Sequence, residues 1–294
     1  MPPIPERLLL IGAFAALYLI WVSTYLVIRI GVESWPPFML AGVRFILAGG
    51  LLYSWLHFRG IRAPSLAEWR SSTLLGFLLL GVGNGGVTVA ESLGASSGVA
   101  ALMVGTMPLF ALLFGLLWGQ RAGLLEWAGI ALGLAGIALL NVGSNLQASP
   151  TAALILILSP IGWALGSVWG RYLKQPAGLM ASASQMLAGG VLLLLASGLS
   201  GERMPQWPDA SGWAALLYLT VFGSIIAFSA YLYLLKTVRP AAATSYAYVN
   251  PVVAVLLGYF FAAERLGSGE VLAMLLIVCA LLLIALPRWR ARAR

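Results

Sequence analysis

Two ionisable side chains, Arg44 and Glu91, lie inside long apolar runs of this 294-residue chain. A charge at the centre of an apolar, membrane-depth helix costs about 2.5–3.5 kcal/mol on insertion scales, so both residues should face the protein interior and hold partners. Two roles are open for them. They form a structural ion pair with each other, or Arg44 binds the carboxylate of a substrate while Glu91 carries a proton.

Aromatic and polar side chains deep in other apolar runs form a second set that could bind a small molecule. A buried polar group costs free energy unless it is hydrogen-bonded, so these groups should face a cavity or a partner rather than lipid. Trp and Tyr near the ends of the runs are more typical of the membrane interface. The cavity candidates are Trp21, Tyr25, Asn84, Trp163, Ser167, Trp169, Tyr246, Tyr248 and Asn250.

The inventory of reactive side chains argues against an enzyme. One aspartate, Asp209, cannot form an aspartyl dyad, and the one histidine, His57, lies at the end of an apolar run like an ordinary interface residue. Neither lysine belongs to a phosphate-binding loop, and one cysteine excludes a disulfide framework or a cysteine-based metal site. We therefore expect no catalytic residues, no metal and no cofactor, which leaves binding and transport.

The composition is that of an integral membrane protein. Hydrophobic residues make up 61% of the chain and charged residues 9%, whereas soluble domains carry about 25% charged residues. The net charge is +8, and four of the 17 Lys and Arg residues stand in a basic tail, Arg288 to Arg294, directly after an apolar run. Such a tail indicates an anchor on anionic lipid rather than a nucleic-acid interface. The expected partners are the lipid bilayer and a small-molecule substrate.

Ten apolar runs are long enough to predict membrane-spanning helices. They lie near residues 8–28, 36–56, 72–91, 95–118, 124–141, 151–171, 177–199, 212–235, 241–262 and 269–286. With the N-terminus inside, thirteen Lys and Arg residues fall on inner segments and three on outer segments. Positive residues stay on the cytoplasmic side, so both termini are predicted to be cytoplasmic.

The two halves of the chain repeat each other. Pro108 and Pro251 are 143 positions apart, and Trp21 and Trp163 are 142 apart. The halves, residues 1–144 and 145–294, each contain five predicted spans, and an odd number makes the second half enter the membrane from the opposite side. The predicted fold is an all-α integral membrane protein of ten helices in two inverted five-helix repeats, which is typical of carriers.

Two prolines and two groups of glycines mark positions where the helices should depart from ideal geometry. Pro108 and Pro251 fall near the middle of spans four and nine, where proline kinks a helix. They are hinge candidates, with a static packing kink as the alternative. The glycine run at 81–86 either packs helices closely or forms an unwound turn beside the substrate. Gly162, Gly166 and Gly170 favour a packing face.

Several segments resemble a known family. They are Trp21 to Tyr25 in the first span, Pro37 to Phe45 in the second, and the proline followed by a turn in spans four and nine. The chain resembles the drug/metabolite transporter superfamily, specifically its EamA-type members and the YddG-like amino-acid exporters. The acidic turn typical of the family is present at Glu264, while Gln120 stands at the matching position of the first half.

The resemblance implies a bacterial inner-membrane exporter of small metabolites, such as neutral or aromatic amino acids, with a central cavity between the repeats. Efflux of cationic drugs or quaternary amines is an alternative, and it requires a buried acid such as Glu91. A non-transporting lipid scramblase or scaffold is another. Energy coupling is open between facilitated diffusion and exchange with protons at Glu91.

Overall fold

The computed structural model describes residues 6–95, 100, 103–140, 149–204, 206–249 and 268–292. All regular secondary structure in these residues is helical. The helices run in chain order as α1 (Glu6–Gly31), α2 (Pro37–Phe58), α3 (Leu66–Ser92), α4 (Met107–Leu117), α5 (Leu124–Leu140), α6 (Pro150–Trp169), α7 (Leu179–Leu199), α8 (Ala210–Thr237), α9 (Pro240–Ala243) and α10 (Ser268–Arg292).

The prediction of an all-helical, multi-pass membrane protein is confirmed for the described residues. Six helices, α1 to α3 and α6 to α8, have 20 to 28 residues and are apolar enough to cross a bilayer. Helices α4 and α5 are shorter apolar helices, and most of the predicted ninth span lies outside the described residues. The full count of ten spans therefore stays a prediction.

Local sequence explains where several helices begin. Ser65 and Glu68 form a reciprocal capping box at α3, and Asp209 accepts a hydrogen bond of 2.8 Å from the backbone amide of Gly212 at α8. Helix α2 is capped from a distance, because Glu202 accepts hydrogen bonds of 2.9 Å from the amides of Phe38 and Met39. A carboxylate is favourable at a helix N-terminus, so the connection after α7 fixes the start of α2.

Helices α3 and α8 each contain a ten-residue π-helical segment, Gly76–Gly85 and Leu219–Phe228. The two segments begin 143 positions apart, which is the spacing of Pro108 and Pro251. A π-helical turn is a rare departure from α geometry that often occurs at functional sites. The third span of each half is therefore widened at a matching place.

The location predicted for Pro108 was wrong. It lies in the first turn of α4, and Gly105 and Thr106 before it form a turn. A proline in the first turn costs no hydrogen bond, because the amide there has no helical acceptor. Proline thus starts a new helix instead of kinking a continuous one, and its hinge role stays a prediction. The matching Pro251 lies outside the described residues.

Glycines bring several helix backbones into direct contact. The face of Gly162 and Gly166 packs on α3, where a Cβ at Gly162 would lie 2.6 Å from Val82 Cγ1, which confirms the predicted packing face. On α3, a Cβ at Gly76 would lie 2.7 Å from the carbonyl oxygen of Gln185 in α7. Backbone atoms cannot rotate away as side-chain atoms can, so the distance between α3 and α7 depends on Gly76.

Substituting Gly76 by alanine is therefore expected to lower the thermal stability of the protein. The clash with the α7 backbone should cost about 1–3 kcal/mol, the usual range for overpacking. Gly81→Ala in the same helix is the matched control, because the nearest atom to its added Cβ is 3.6 Å away. Thermal unfolding of both purified variants tests this. Equal melting temperatures would contradict the packing described for Gly76.

Candidate functional site

Four aromatic side chains meet in the interior, and we call them the aromatic layer. They are Trp21 on α1, Trp163 on α6, Tyr231 on α8 and Tyr246 after α9. The rings of Trp21 and Trp163 are 5.4 Å apart and edge-to-face, and Trp21 lies 4.6 Å from Tyr246. Tyr231 contacts the other three rings at centroid distances of 5.2 to 6.0 Å. All four side chains are buried.

Hydrogen bonds fix three of the four rings of the layer. The indole of Trp21 donates to the carbonyl of Gly223, at 3.2 Å, within the π-helical part of α8. The hydroxyls of Tyr231 and Ser167 share a hydrogen bond of 2.5 Å. Tyr246 donates to the sulfur of Met107, at 3.6 Å. The layer therefore ties α1, α4, α6 and α8 together.

A narrow cavity of about 40 Å³ lies on one side of the layer, and we call it the tryptophan cavity. It is lined by Trp21, Thr24, Tyr25, Ile28, Gly83, Asn84, Val87, Val104, Met107, Ser159, Pro160, Trp163 and Tyr246. Most of this surface is apolar or aromatic. Such a lining suits a small molecule with an apolar side chain and few polar groups.

A second cavity of about 370 Å³ lies on the other side, and we call it the glutamine cavity. It is lined by Leu75, Leu79, Gly166, Ser167, Gly170, Arg171, Leu173, Gln175, Gln185, Leu232, Leu235 and Lys236. Along α6, Ser159 to Trp163 line the tryptophan cavity, and Gly166 to Gly170 line the glutamine cavity. Trp163 and Tyr231 stand where the lining changes from one cavity to the other.

Two amide side chains build the polar wall of the glutamine cavity. Gln175 donates to the carbonyl of Gly170, and Gln185 donates to Oε1 of Gln175 at 2.8 Å. The side chain of Gln185 is fully buried. Its own Oε1 accepts no hydrogen bond within the described part of the chain. A buried acceptor left in this state costs free energy, so it marks a place for a donor.

Arg44 is buried behind the tryptophan cavity. Its Nε donates to Ser224 at 2.7 Å, and its Nη1 donates to Oδ1 of Asn84 at 3.4 Å. It also lies over the ring of Phe45, 4.6 Å from the centroid. None of these partners is acidic, and the described residues contain no ion pair of Arg44. The predicted ion pair with Glu91 is not formed.

The carboxylate of Glu91 is buried, and neither of its oxygens has a hydrogen-bond partner among the described residues. The cation near it is Arg29, whose guanidinium donates to the backbone carbonyl of Glu91 at 3.3 Å. Glu91 therefore keeps an unused carboxylate at the end of α3. Its predicted role as a proton carrier stays a prediction.

The structure brings together five of the cavity candidates and separates others. Trp21, Tyr25, Asn84, Trp163 and Tyr246 line the tryptophan cavity, and Ser167 lines the glutamine cavity.

Two further candidates lie away from both cavities. Trp169 packs against Trp118 at 6.2 Å. The ring of Tyr248 packs on Gly133, where an added Cβ would lie 2.8 Å from the tyrosine ring, in a separate core with α5 and α10. Neither residue lines the tryptophan cavity or the glutamine cavity, and a role for either in binding stays a prediction. Asn250 lies outside the described residues.

The glycine run at 81–86 neither breaks nor unwinds α3, which continues as a π-helical segment through Gly85. A Cβ at Gly83 would lie 2.5 Å from Cε3 of Trp163, and one at Gly86 would lie 2.7 Å from Oγ of Ser159. The run is therefore a packing surface for α6. Gly83 and Asn84 line the tryptophan cavity as well, so close packing and cavity lining coincide.

Sequence reasoning missed Tyr231, Gln185 and Pro160. Pro160 lies inside α6 and lines the tryptophan cavity, and a proline within the sixth apolar run was a visible signal of the same kind as Pro108. Gln185 was also visible, as an amide within the seventh run. Tyr231 had no comparable signal, since tyrosine is common near the ends of membrane helices.

Comparison with known proteins gives consistent results. The EamA-like transporter family matches residues 8–142 and 150–286. The uncharacterised inner membrane transporter YedA of Escherichia coli strain K12 is 53% identical over 284 residues, covering 97% of this chain and 93% of YedA. An uncharacterised transporter of Archaeoglobus fulgidus is 26% identical over 259 residues, covering 84% of this chain and 87% of that protein. One crystal structure with 24% identity aligns at a TM-score of 0.75, covering 95% of this chain and 97% of that chain, so the fold is shared.

Proposed function

The chain belongs to the EamA-like transporter family, and from this premise we propose that it is a carrier that exports neutral and aromatic amino acids by alternating access. Transport across a membrane is the general function that the family and its transporter-named relatives support. We extend to this chain the inner-membrane location that the name of YedA gives for that relative. Both termini are then cytoplasmic, as the distribution of Lys and Arg predicts.

The observation that carries the proposal is the aromatic layer between two cavities. Trp21 and Trp163, which are 142 positions apart, contact each other at 5.4 Å within it. Residues at matching positions of two inverted repeats meet near the pseudo-twofold axis, where carriers of this kind bind their cargo. Rocking of the half 1–144 against the half 145–294 would open the layer to one cavity and close it to the other.

Two features support this movement. The π-helical segments of α3 and α8 have the same spacing as the repeat, and π-helical turns often occur at functional sites. Pro108 begins α4 after a turn, and Pro251 occupies the matching place in the second half. We assign hinge roles to both prolines.

The lining of the tryptophan cavity supports a cargo with an apolar or aromatic side chain. Aromatic rings stack against such a cargo in offset or edge-to-face geometry. Asn84 supplies a polar group, and Arg44 behind it supplies a positive charge with no acidic partner in the described residues. A guanidinium without an acidic partner can bind the carboxylate of a cargo, because a guanidinium can donate two parallel hydrogen bonds to a carboxylate.

Uptake of labelled amino acids into proteoliposomes of the purified full chain tests the proposed function. We expect saturable uptake of L-phenylalanine and L-leucine, and little uptake of sugar phosphates. Liposomes without protein, and uptake competed by an excess of the unlabelled amino acid, are the controls. If no amino acid in a complete panel is moved, the proposed function fails.

Glu91 is the residue through which we expect protons to couple to export. Substitution by glutamine keeps the size of the side chain but removes the titratable group. We expect Glu91→Gln to move L-phenylalanine down its gradient at the wild-type rate without acceleration by a pH gradient. Transport rates with and without a pH gradient measure this. A wild-type rate that ignores the gradient would indicate facilitated diffusion.

Export of cationic amines is a second candidate function, favoured by the buried carboxylate of Glu91, whose oxygens have no hydrogen-bond partner among the described residues. A cationic cargo needs such an acid as its counter-charge. Glu91→Gln should then abolish resistance of producing cells to a quaternary amine. Glu33→Gln, at an exposed acid in the connection after α1, is the matched control. Unchanged resistance in the Glu91 variant removes this candidate.

A further inference from the structure

We propose that the glutamine cavity is a loading site for a small zwitterion. In this site Oε1 of Gln185 accepts a hydrogen bond from the ammonium group of the cargo, and Lys236 and Arg171 bind its carboxylate. The inference rests on the proposed function, since it names the atoms that select the cargo. With both termini cytoplasmic, Arg171 and Lys236 lie on the inner side of the membrane. An exporter takes up its cargo from that side.

The orientation of the two amides follows from their hydrogen bonds. The carbonyl of Gly170 can only accept, so the nitrogen of Gln175 must face it and Oε1 of Gln175 must face Gln185. Gln185 therefore donates with its nitrogen, at 2.8 Å. These hydrogen bonds leave Oε1 of Gln185 without a donor among the described residues. The side chain has no exposed surface, so the cargo reaches this oxygen when the side chain of Gln185 turns into the cavity.

The acceptor and two cations line the same cavity. Lys236 lies in the last turn of α8, and Arg171 follows α6 after its C-cap residue Gly170. Among the described residues, no Asp or Glu lines the cavity. The cations can thus bind an incoming carboxylate without first breaking an ion pair.

A zwitterion is the cargo that satisfies all of these groups. An anion would use the cations but leave Oε1 of Gln185 without a donor, and a simple amine would meet two positive charges. An amino acid supplies the ammonium donor and the carboxylate together, and Leu75, Leu79 and Leu232 offer an apolar wall to its side chain. The aromatic layer lies directly beyond Ser167, so the loaded cargo faces the barrier that it must pass.

Equilibrium binding to the full chain in lipid nanodiscs tests the proposal with three probes that share a phenyl group. L-Phenylalanine carries both charges, 3-phenylpropionate only the carboxylate, and 2-phenylethylamine only the ammonium. We expect the wild type to prefer L-phenylalanine to either analogue by about 10-fold or more, because a hydrogen bond to a charged group contributes a factor of this size.

Two variants separate the roles of the groups. Gln185→Leu should weaken binding of L-phenylalanine about 10-fold and leave 3-phenylpropionate within about 2-fold of the wild type, since that probe has no ammonium. Gln185→Glu should make 2-phenylethylamine bind better than it binds to the wild type. A misfolded protein cannot produce this gain. Val191→Ala, at an exposed position of α7, is the matched control.

The outcomes distinguish this site from the proposed function. If the wild type binds and transports L-phenylalanine but both Gln185 variants leave the order of the three probes unchanged, the site is wrong and the export function stands. If 3-phenylpropionate binds as tightly as L-phenylalanine, the cavity is an anion site and the proposal is overturned. If no L-phenylalanine is bound or moved, both proposals fall.

Discussion

Replacing Arg44 by methionine is expected to abolish amino-acid transport while leaving the melting temperature unchanged or slightly raised. Removing a buried cation relieves a desolvation penalty of several kcal/mol. The same change forfeits the hydrogen bonds to Ser224 and Asn84, each about 1.5–3 kcal/mol for a charged donor. These two terms nearly cancel, so the fold should survive. The cargo would lose the guanidinium that holds its carboxylate.

The measurement pairs initial rates of L-phenylalanine uptake with thermal unfolding of the same preparations. We expect the rate to fall about 100-fold, the effect of losing a bidentate charged contact of about 3 kcal/mol. Arg44→Lys should recover only part of it, because an ammonium cannot form the parallel pair of hydrogen bonds. Arg70→Met, at an exposed position of α3, is the matched control. A large loss of stability with normal transport per folded protein would make Arg44 a structural residue.

Replacing Tyr231 by alanine should join the two cavities and produce a leak. The ring is completely buried and contacts Trp21, Trp163 and Tyr246. Its removal should destabilise the protein by about 3–5 kcal/mol, as for other large aromatic residues truncated in a core. Efflux of labelled L-phenylalanine from loaded proteoliposomes should then rise in proportion to the internal concentration, whereas efflux through the wild type should saturate.

The hydroxyl and the ring of Tyr231 can be separated. Tyr231→Phe removes only the hydrogen bond to Ser167, which should lower the free energy of unfolding by about 0.5–1.5 kcal/mol. Proteoliposomes with this variant should show no leak of L-phenylalanine. Tyr233→Ala, at a partly buried tyrosine of the same helix, is the control for general loss of packing. A tight Tyr231→Ala variant would show that the layer is not the barrier between the cavities.

The sequence predicted the class of the protein and the central pair of tryptophans for physical reasons. A hydrophobic fraction of 61% leaves few alternatives to a bilayer. The sequence repeat placed Trp21 and Trp163 at matching positions, and the structure brings their rings to a centroid distance of 5.4 Å. Composition and the position of these tryptophans within apolar runs therefore sufficed to select the pair, while their role in binding stays a prediction.

The details that depend on helix rotation could not be predicted in this way. Tyr246 and Tyr248 are two positions apart, so about 200° of rotation separates them, and only Tyr246 points to the tryptophan cavity. The turn at Thr244 and Ser245 sets this rotation, and no pattern in the sequence indicates it. The same applies to Arg44, whose depth suggested Glu91 as its partner although its side chain is directed to Ser224.

Substrate-dependent accessibility of the two cavities tests the central claim most directly. Cysteines replace Val87 in the tryptophan cavity and Leu232 in the glutamine cavity, in a Cys279→Ala background that removes the exposed natural thiol. Labelling rates with a membrane-impermeant maleimide are measured from each side, with and without L-phenylalanine. Alternating access predicts that L-phenylalanine changes the two rates in opposite directions. If both labelling rates change in the same direction, or if no amino acid changes either rate, the protein is not a carrier. Such a result would favour an open pore or a lipid scramblase.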